Sequence, residues 1–264
     1  MVDKFNEIKG IKNNLRLESQ KLIEECMIIA NVASSLFIKK NKFTSLYRIH
    51  DEPTLEKIED AAISLKSLGY NLSKSKIPNG EEINLLINLS KKKLDDHLVT
   101  SILLRSMARA EYSPHNIGHY GLAFVNYTHF TSPIRRYPDV LVHRLLQDIL
   151  DKKYGRIDKN LQKKAVHCSE QENIAVKAER ESIKFMQIKY MQNKIGETFN
   201  GIISGLSDWG IYVELEESKC EGMVYVKDIK DDKYYYNSEE ASIIGKKNKN
   251  KYQLGDPTAV GCSH

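Results

Sequence analysis

Residues 129 to 144 read His129-Phe130-Thr131-Ser132-Pro133-Ile134-Arg135-Arg136-Tyr137-Pro138-Asp139-Val140-Leu141-Val142-His143-Arg144. Arginine is charged at every physiological pH, and its planar fork of donors matches the oxygens of a phosphate. Two adjacent arginines on a loop stiffened by proline therefore predict a preorganised phosphate clamp, and with it a polyanionic ligand. The nearby aromatics Tyr127, Phe130 and Tyr137 could stack on bases while Arg135 and Arg136 take phosphates, as in channels for single-stranded nucleic acid. His129, Ser132, His143 and Arg144 complete the set of candidate contacts. Asp139 and His143, four apart on one helix face, are read as orienting the arginines rather than transferring protons. The alternative is structural, with both arginines consumed by ion pairs to Asp139 and Glu179.

The elements that must hold this loop can be read from apolar spacing and punctuation. Leu22, Cys26, Ile29, Ala33 and Leu36/Phe37 recur at intervals of three and four, which predicts an amphipathic helix with Glu24, Glu25 and Asn31 on its polar side. After a loop containing Tyr47 to Pro53, Thr54 is placed as the N-cap of a second helix that ends at Gly69. Residues 71–80 are a polar linker, and 81–89 and 95–110 continue the helical pattern. His119 to Tyr127 alternates and is aromatic-rich, so it is expected to be a strand delivering the chain into the arginine loop. Pro138 suits the first turn of a helix running to Leu150 and packed through Leu141, Leu145 and Ile149. Residues 160–193 lack proline and glycine and predict one long helix, facing inward through Leu161, Ala165, Cys168, Ala175, Ala178 and Phe185. From Gly196 the texture changes to short alternating runs punctuated by glycine, which sets a domain boundary there.

Length and composition agree with such a plan. The chain has 264 residues, 41% hydrophobic and 28% charged, ordinary values for a folded protein. Its net charge of +5 divides unevenly: residues 1–200 hold 32 Lys/Arg against 24 Asp/Glu, and 201–264 hold 8 against 11. A basic excess in the larger part suits phosphate-backbone binding, although solvated lysines produce the same balance. Cys26, Cys168, Cys220 and Cys262 form no C-x-x-C pair and no zinc-like cluster. No apolar run is long enough to span a bilayer and the first ten residues carry no apolar signal core, so no membrane partner and a cytoplasmic location are expected.

The arginine loop, with Gly118-His119-Tyr120-Gly121-Leu122-Ala123-Phe124 upstream and Ile23 to Asn31 (IEECMIIAN), closely resembles the RNB family of exoribonucleases, in its ribonuclease R branch. Residues 15–195 are similar to the C-terminal part of that catalytic domain almost throughout. The resemblance implies hydrolytic, processive degradation of single-stranded RNA from the 3′ end at a Mg²⁺ site, with release of nucleoside 5′-monophosphates. It also implies that Arg135, the first arginine after Ser132-Pro133-Ile134, lies beside the scissile phosphate, where a fixed cation would stabilise developing negative charge. Further on, Gly201 to Leu215 and Glu221 to Val226 resemble the first three strands of the S-one type RNA-binding domain, a small OB barrel. There Trp209, Tyr212 and Tyr225 match positions that face RNA, with core packing as the alternative.

The expected architecture is thus α+β: residues 1–195 as a mostly helical C-terminal portion of an RNB catalytic domain, and 196–264 as a small, incomplete OB-type barrel. Two departures from the family pattern bear on function. The metal-binding aspartates of that family, spaced D-x5-D-x-D-D, have no counterpart: Asp95-Asp96 has Lys93 and Ile87 at the partner positions, and Asp231-Asp232 has Ile229 and Met223. Without convergent carboxylates Mg²⁺ has no octahedral oxygen cage, so no metal ligand is assigned in this chain, and a separate N-terminal RNB piece becomes a candidate partner. Pro257 to His264 is expected to be too short and too poor a strand former to close the barrel. A non-catalytic RNA-binding module or an inactive gene fragment is the alternative reading.

Overall fold

The computed structural model describes residues 8, 10–11, 17–93, 95–153 and 158–263. In chain order the elements are α1 (Glu18–Lys40), β1 (Tyr47–Ile49), α2 (Leu55–Ser67), α3 (Gly80–Lys93), α4 (Asp96–Ser106), β2 (Glu111–Ser113), α5 (Tyr137–Leu150) and α6 (Leu161–Gln192). Seven strands follow: β3 (Thr198–Leu206), β4 (Gly210–Leu215), β5 (Glu221–Tyr225), β6 (Tyr234–Asn237), β7 (Ser242–Gly245), β8 (Lys251–Gln253) and β9 (Pro257–Gly261). The chain folds as two compact units. One comprises Asn14–Glu52 and Ala108–Arg180; the other comprises Met1–Asn13, Pro53–Met107 and Glu181–His264.

In the first unit β1 pairs antiparallel with β2, Arg48 opposite Tyr112. α1 and α5 pack through Ile38, Val142 and Ile149, with Phe130 and Leu145 against them. Leu46, Tyr112 and Ala165 form a second cluster with Leu141, Leu161 and Cys168 around it. The helix expected from Leu22 is present as α1, but it faces the opposite way. Asn31, Ser34, Ser35 and Ile38 are buried, while Leu22, Cys26, Ile29, Ala33, Leu36 and Phe37 are exposed. Local amphipathicity assigned the apolar stripe to the core, whereas hydrogen bonding to the arginine loop draws the polar side in. On α6 only Ala165 of the expected inward set is fully buried; Ala175, Ala178 and Phe185 are exposed. His119 to Tyr127 is not a strand. Tyr120–Leu122 form a 3₁₀ turn closed by Ala123 at φ 56°, and the flanking His119 and Phe124 bridge each other. The turn is packed so tightly that a Cβ on Gly121 would lie 2.8 Å from the His50 ring, which leaves no room for a side chain.

In the second unit α2, α3 and α4 enclose Leu65, Tyr70, Leu86, Val99 and Leu103. As expected, the Thr54 hydroxyl accepts from Lys57 N at 3.5 Å to open α2, and Gly69 at φ +80° follows its end. The strands form a four-stranded sheet in the order β5-β4-β3-β9 and a three-stranded sheet β6-β7-β8, not a closed barrel. Ile203, Ile211, Val213, Tyr234 and Ile243 are the buried core between them. As expected, 257–264 does not close the barrel, but it does supply one strand: β9 runs antiparallel along β3, from Pro257 opposite Ile202 to Gly261 opposite Thr198. Proline is tolerated because it is the first residue of an edge strand, where a missing ladder donor costs little.

Candidate nucleic-acid interface

The arginine loop is fixed through its backbone. Asn31 Oδ1, on α1, accepts from Phe130 N at 2.8 Å and Thr131 N at 3.2 Å, and Asp139 Oδ1, on α5, accepts from Ser132 N at 2.7 Å. Two side-chain oxygens thus claim three successive amides. His143 Nε2 donates to Phe130 O at 2.9 Å, and Ser132 O accepts from Arg135 N and Arg136 N. Pro138 then starts α5.

The two arginines are not a matched clamp. Arg136 Nη2 pairs at 2.8 Å with Asp139, whose carboxylate is wholly buried, and the Arg136 side chain is only 16% exposed. This corrects the phosphate contact expected of Arg136: its guanidinium is turned inward because Asp139 needs a counter-charge. Arg135 is exposed and has no side-chain partner among the described residues. It follows Ile134, 98% exposed at the tip of the loop. Glu179 is exposed on α6 and pairs with neither arginine.

Rings back the loop. Tyr127, expected to stack on bases, is buried instead, with its hydroxyl accepting from Asn31 Nδ2 at 3.0 Å. Phe130 is stacked on the exposed His143 ring at 4.2 Å and packs towards Ile38, so at least one of its faces is already covered. The His129 ring lies edge-on to Tyr112 and Tyr127, and its Nδ1 shares a 2.8 Å hydrogen bond with the Tyr112 hydroxyl. Burial first, then the Arg136 and Arg48 cations, push its pKa down to about 2. His129 is therefore neutral and offers no cation to a phosphate. Tyr137 and Arg144 are exposed, on the first and later turns of α5, and Ser132 is half-buried.

Several residues here carry no local sequence signal. Arg48 forms a two-point ion pair with Glu172 at 2.5 and 3.1 Å and lies 4.7 Å over the Tyr112 ring. His50 accepts from Gly121 N through Nδ1, and its Nε2–H donates to Ala108 O, so both ring nitrogens are held by backbone groups. His119 stands 5.0 Å from His50; burial, with His50 and Arg48 beside it, lowers its pKa to about 4.

In the second unit, Trp209 is 77% exposed immediately before β4, and Tyr212 and Tyr225 are exposed on the outer face of the β4–β5 pair. Gly210 is opposite Tyr225 and Tyr212 opposite Met223, so the two tyrosines are diagonal neighbours on one face. A Cβ at Gly210 would lie 2.5 Å from Val224 O, so only glycine permits this close pairing beside Trp209. The core alternative for Trp209 is thereby removed.

The described residues do not fit a divalent metal. No group of three or more His, Cys, Asp or Glu side chains among them could hold an ion. Three of the four paired aspartates already accept hydrogen bonds: Asp95 Oδ1 from Tyr70 OH, Asp231 Oδ2 from Tyr234 OH, and Asp232 Oδ2 from the amides of Lys247 and Asn248. Likewise, no helix among the described residues is long and apolar enough to cross a membrane.

Comparison with known proteins agrees with this geometry. The RNB domain matches residues 1–152 and the S1 RNA binding domain matches 192–259. Ribonuclease R of Buchnera aphidicola subsp. Schizaphis graminum is 40% identical over 266 aligned positions, covering 98% of this chain and 37% of that protein. Ribonuclease R of Escherichia coli is 34% identical, covering 96% and 33%. A solved structure of Mycoplasma genitalium RNase R in complex with ribose methylated single-stranded RNA superposes with a TM-score of 0.92 at 26% identity, covering 100% of this chain and 42% of that one. The chain spans between about a third and about two fifths of the length of these relatives. With an RNB match over more than half of its residues and ribonuclease R relatives along nearly all of them, this protein belongs to the RNB family.

Proposed function

We propose that this chain is the RNA-gripping portion of a ribonuclease R-type exoribonuclease, which degrades single-stranded RNA from its 3′ end to nucleoside 5′-monophosphates. The observation that carries the reading is Arg135: an exposed guanidinium with no side-chain partner among the described residues, on a loop whose Phe130, Thr131 and Ser132 amides are pinned by Asn31 and Asp139. Such a donor meets a phosphate with little reorganisation, which is what electrostatic stabilisation of a transition state requires. In this reading residues 1–195 supply the RNB portion, and 196–264 add the Trp209, Tyr212 and Tyr225 stacking face.

Hydrolysis by the family's Mg²⁺ would draw on carboxylates outside the described residues, in the same polypeptide or in a separate upstream RNB piece. The apolar stripe that α1 turns to solvent supports such a neighbouring segment. The isolated chain is accordingly expected to bind a labelled single-stranded oligoribonucleotide with a salt-dependent affinity and to release little nucleoside monophosphate in Mg²⁺. Efficient release would overturn the assignment of the missing carboxylates, and absence of salt-dependent binding would overturn the grip itself. The same absence of a carboxylate cluster favours, as a second reading, a binding module without catalysis. Restored hydrolysis on adding a polypeptide that carries the aspartate cluster would decide against it.

A further inference from the structure

We infer that Asn31 is the positioning residue of the arginine loop, acting on RNA only through Arg135; the inference rests on the reading of Arg135 as a phosphate ligand. Asn31 is 3% exposed in the middle of α1, about a hundred positions from the loop it holds. Both ends of its amide are used. Oδ1 receives the Phe130 and Thr131 amides, and Nδ2 donates to the hydroxyl of buried Tyr127. A side-chain amide is suited to this task because it accepts and donates on one rigid plane and adds no charge beside the buried Arg136–Asp139 pair.

Geometry makes the consequence specific. Ser132, Arg135 and Arg136 are joined by their own backbone hydrogen bonds, so the tip of the loop moves as one piece. Asp139 ties that piece to α5 at Ser132 and Arg136. Asn31 ties the strand of chain entering it to α1. Without it the loop is held from α5 alone, by Asp139 at Ser132 and Arg136 and by His143 at the Phe130 carbonyl, and Arg135, which has no side-chain partner among the described residues, is the side chain whose aim is lost. Leaving the two amides unpaired in a half-buried setting adds a driving force for that rearrangement. This also explains why α1 turns its polar side inward.

The experiment is a double-variant cycle on the full chain with Asn31→Ala, Arg135→Ala and the pair. It is read by the affinity for a labelled single-stranded oligoribonucleotide over a range of salt and by amide hydrogen exchange at Phe130 and Thr131. Arg135→Ala is expected to cost about tenfold in affinity, the worth of one charge-assisted contact, and to flatten the salt slope by about 0.7. Asn31→Ala should release the Phe130 and Thr131 amides to exchange and cost a similar factor. The pair should lose no more than Arg135→Ala alone. Additive losses in the pair would overturn the role assigned to Asn31 while leaving the phosphate reading intact. An Arg135→Ala variant with unchanged affinity would sink that reading, and Asn31 with it. Should Asn31→Ala not fold, Asn31→Asp keeps the acceptor: near-native affinity with protected amides supports the inference, and loss of affinity with protected amides overturns it.

Discussion

Arg136 and Asp139 form a one-point pair, Nη2 to Oδ1 at 2.8 Å, with the carboxylate wholly buried and the same oxygen accepting the Ser132 amide. Beside it Arg135 is exposed and has no side-chain partner among the described residues. Adjacent residues of one type therefore do different work: one anchors the loop, the other is presented by it.

This division predicts opposite phenotypes. Asp139→Ala strands the Arg136 guanidinium and the Ser132 amide in a buried setting and should cost about 3–5 kcal/mol of stability, as other broken buried pairs do. Arg135→Ala removes an exposed side chain and should change stability by less than about 0.5 kcal/mol while weakening RNA binding. Urea denaturation of the two variants beside RNA titration measures both. A destabilised Arg135→Ala protein would contradict the assignment.

Burial of His119 and His129 gives a pH dependence with a defined sign. Both have pKa values below the ordinary 6.5, His119 at about 4 and His129 at about 2. Above pH 6.5 folded and unfolded states are alike in these rings, and their neutral packing is undisturbed. Below it the unfolded chain takes up protons that the folded one refuses, so stability falls with pH, through the window from 6.5 to about 4 for His119 and to about 2 for His129. Each fully linked histidine contributes a slope of about 1.4 kcal/mol per pH unit. Denaturation between pH 7 and 5 should show this loss, and His119→Gln should shallow it. A flat profile over that interval would mean that the rings titrate normally.

The parts of this arrangement legible in the sequence are those set by neighbours along the chain. Thr54 and Gly69 bound α2, Pro138 opens α5, and the run without proline or glycine becomes α6. What was not legible is set by partners far away. The polarity of α1 is reversed because Asn31 serves Tyr127, Phe130 and Thr131, a demand that no hydrophobic pattern records. His119 to Tyr127 alternates like a strand, yet the His50 ring, accepting from Gly121 N, and the His50 carbonyl, accepting from Tyr120 N, hold it in a turn. Pro257 reads as a breaker until β3 offers it an edge position. The arginines were recognisable as a site, but only the burial of Asp139 tells them apart.

β9 gives a third prediction. Val260 packs on the Ile203 core, and the strand covers the free edge of β3 with five register pairs. Ending the chain after Asp256 should destabilise the β3–β9 strand region and expose the β3 amides to exchange, because an open edge and lost apolar cover act together. Unchanged protection of β3 in the shortened chain would show that the edge strand contributes nothing.

Trp209 supplies the last and most direct test, since it is the chain's single tryptophan. Its 77% exposure beside Tyr212 and Tyr225 means that Trp209→Ala removes no core packing, so stability should change by no more than about 0.5 kcal/mol. If bases stack on this face, each aromatic contributes roughly 1–3 kcal/mol to binding, and Trp209→Ala should weaken affinity for single-stranded RNA by about fivefold or more. The indole also reports on itself: adding an oligoribonucleotide to the unaltered chain should quench its fluorescence, with a midpoint matching the binding constant measured by anisotropy. Arg135→Ala should leave the depth of quenching at saturation intact while shifting its midpoint, because the phosphate contact and the stacking face belong to different compact units. Saturable binding with no change in indole emission would remove RNA from this face and leave the arginine loop as the sole point of contact under test.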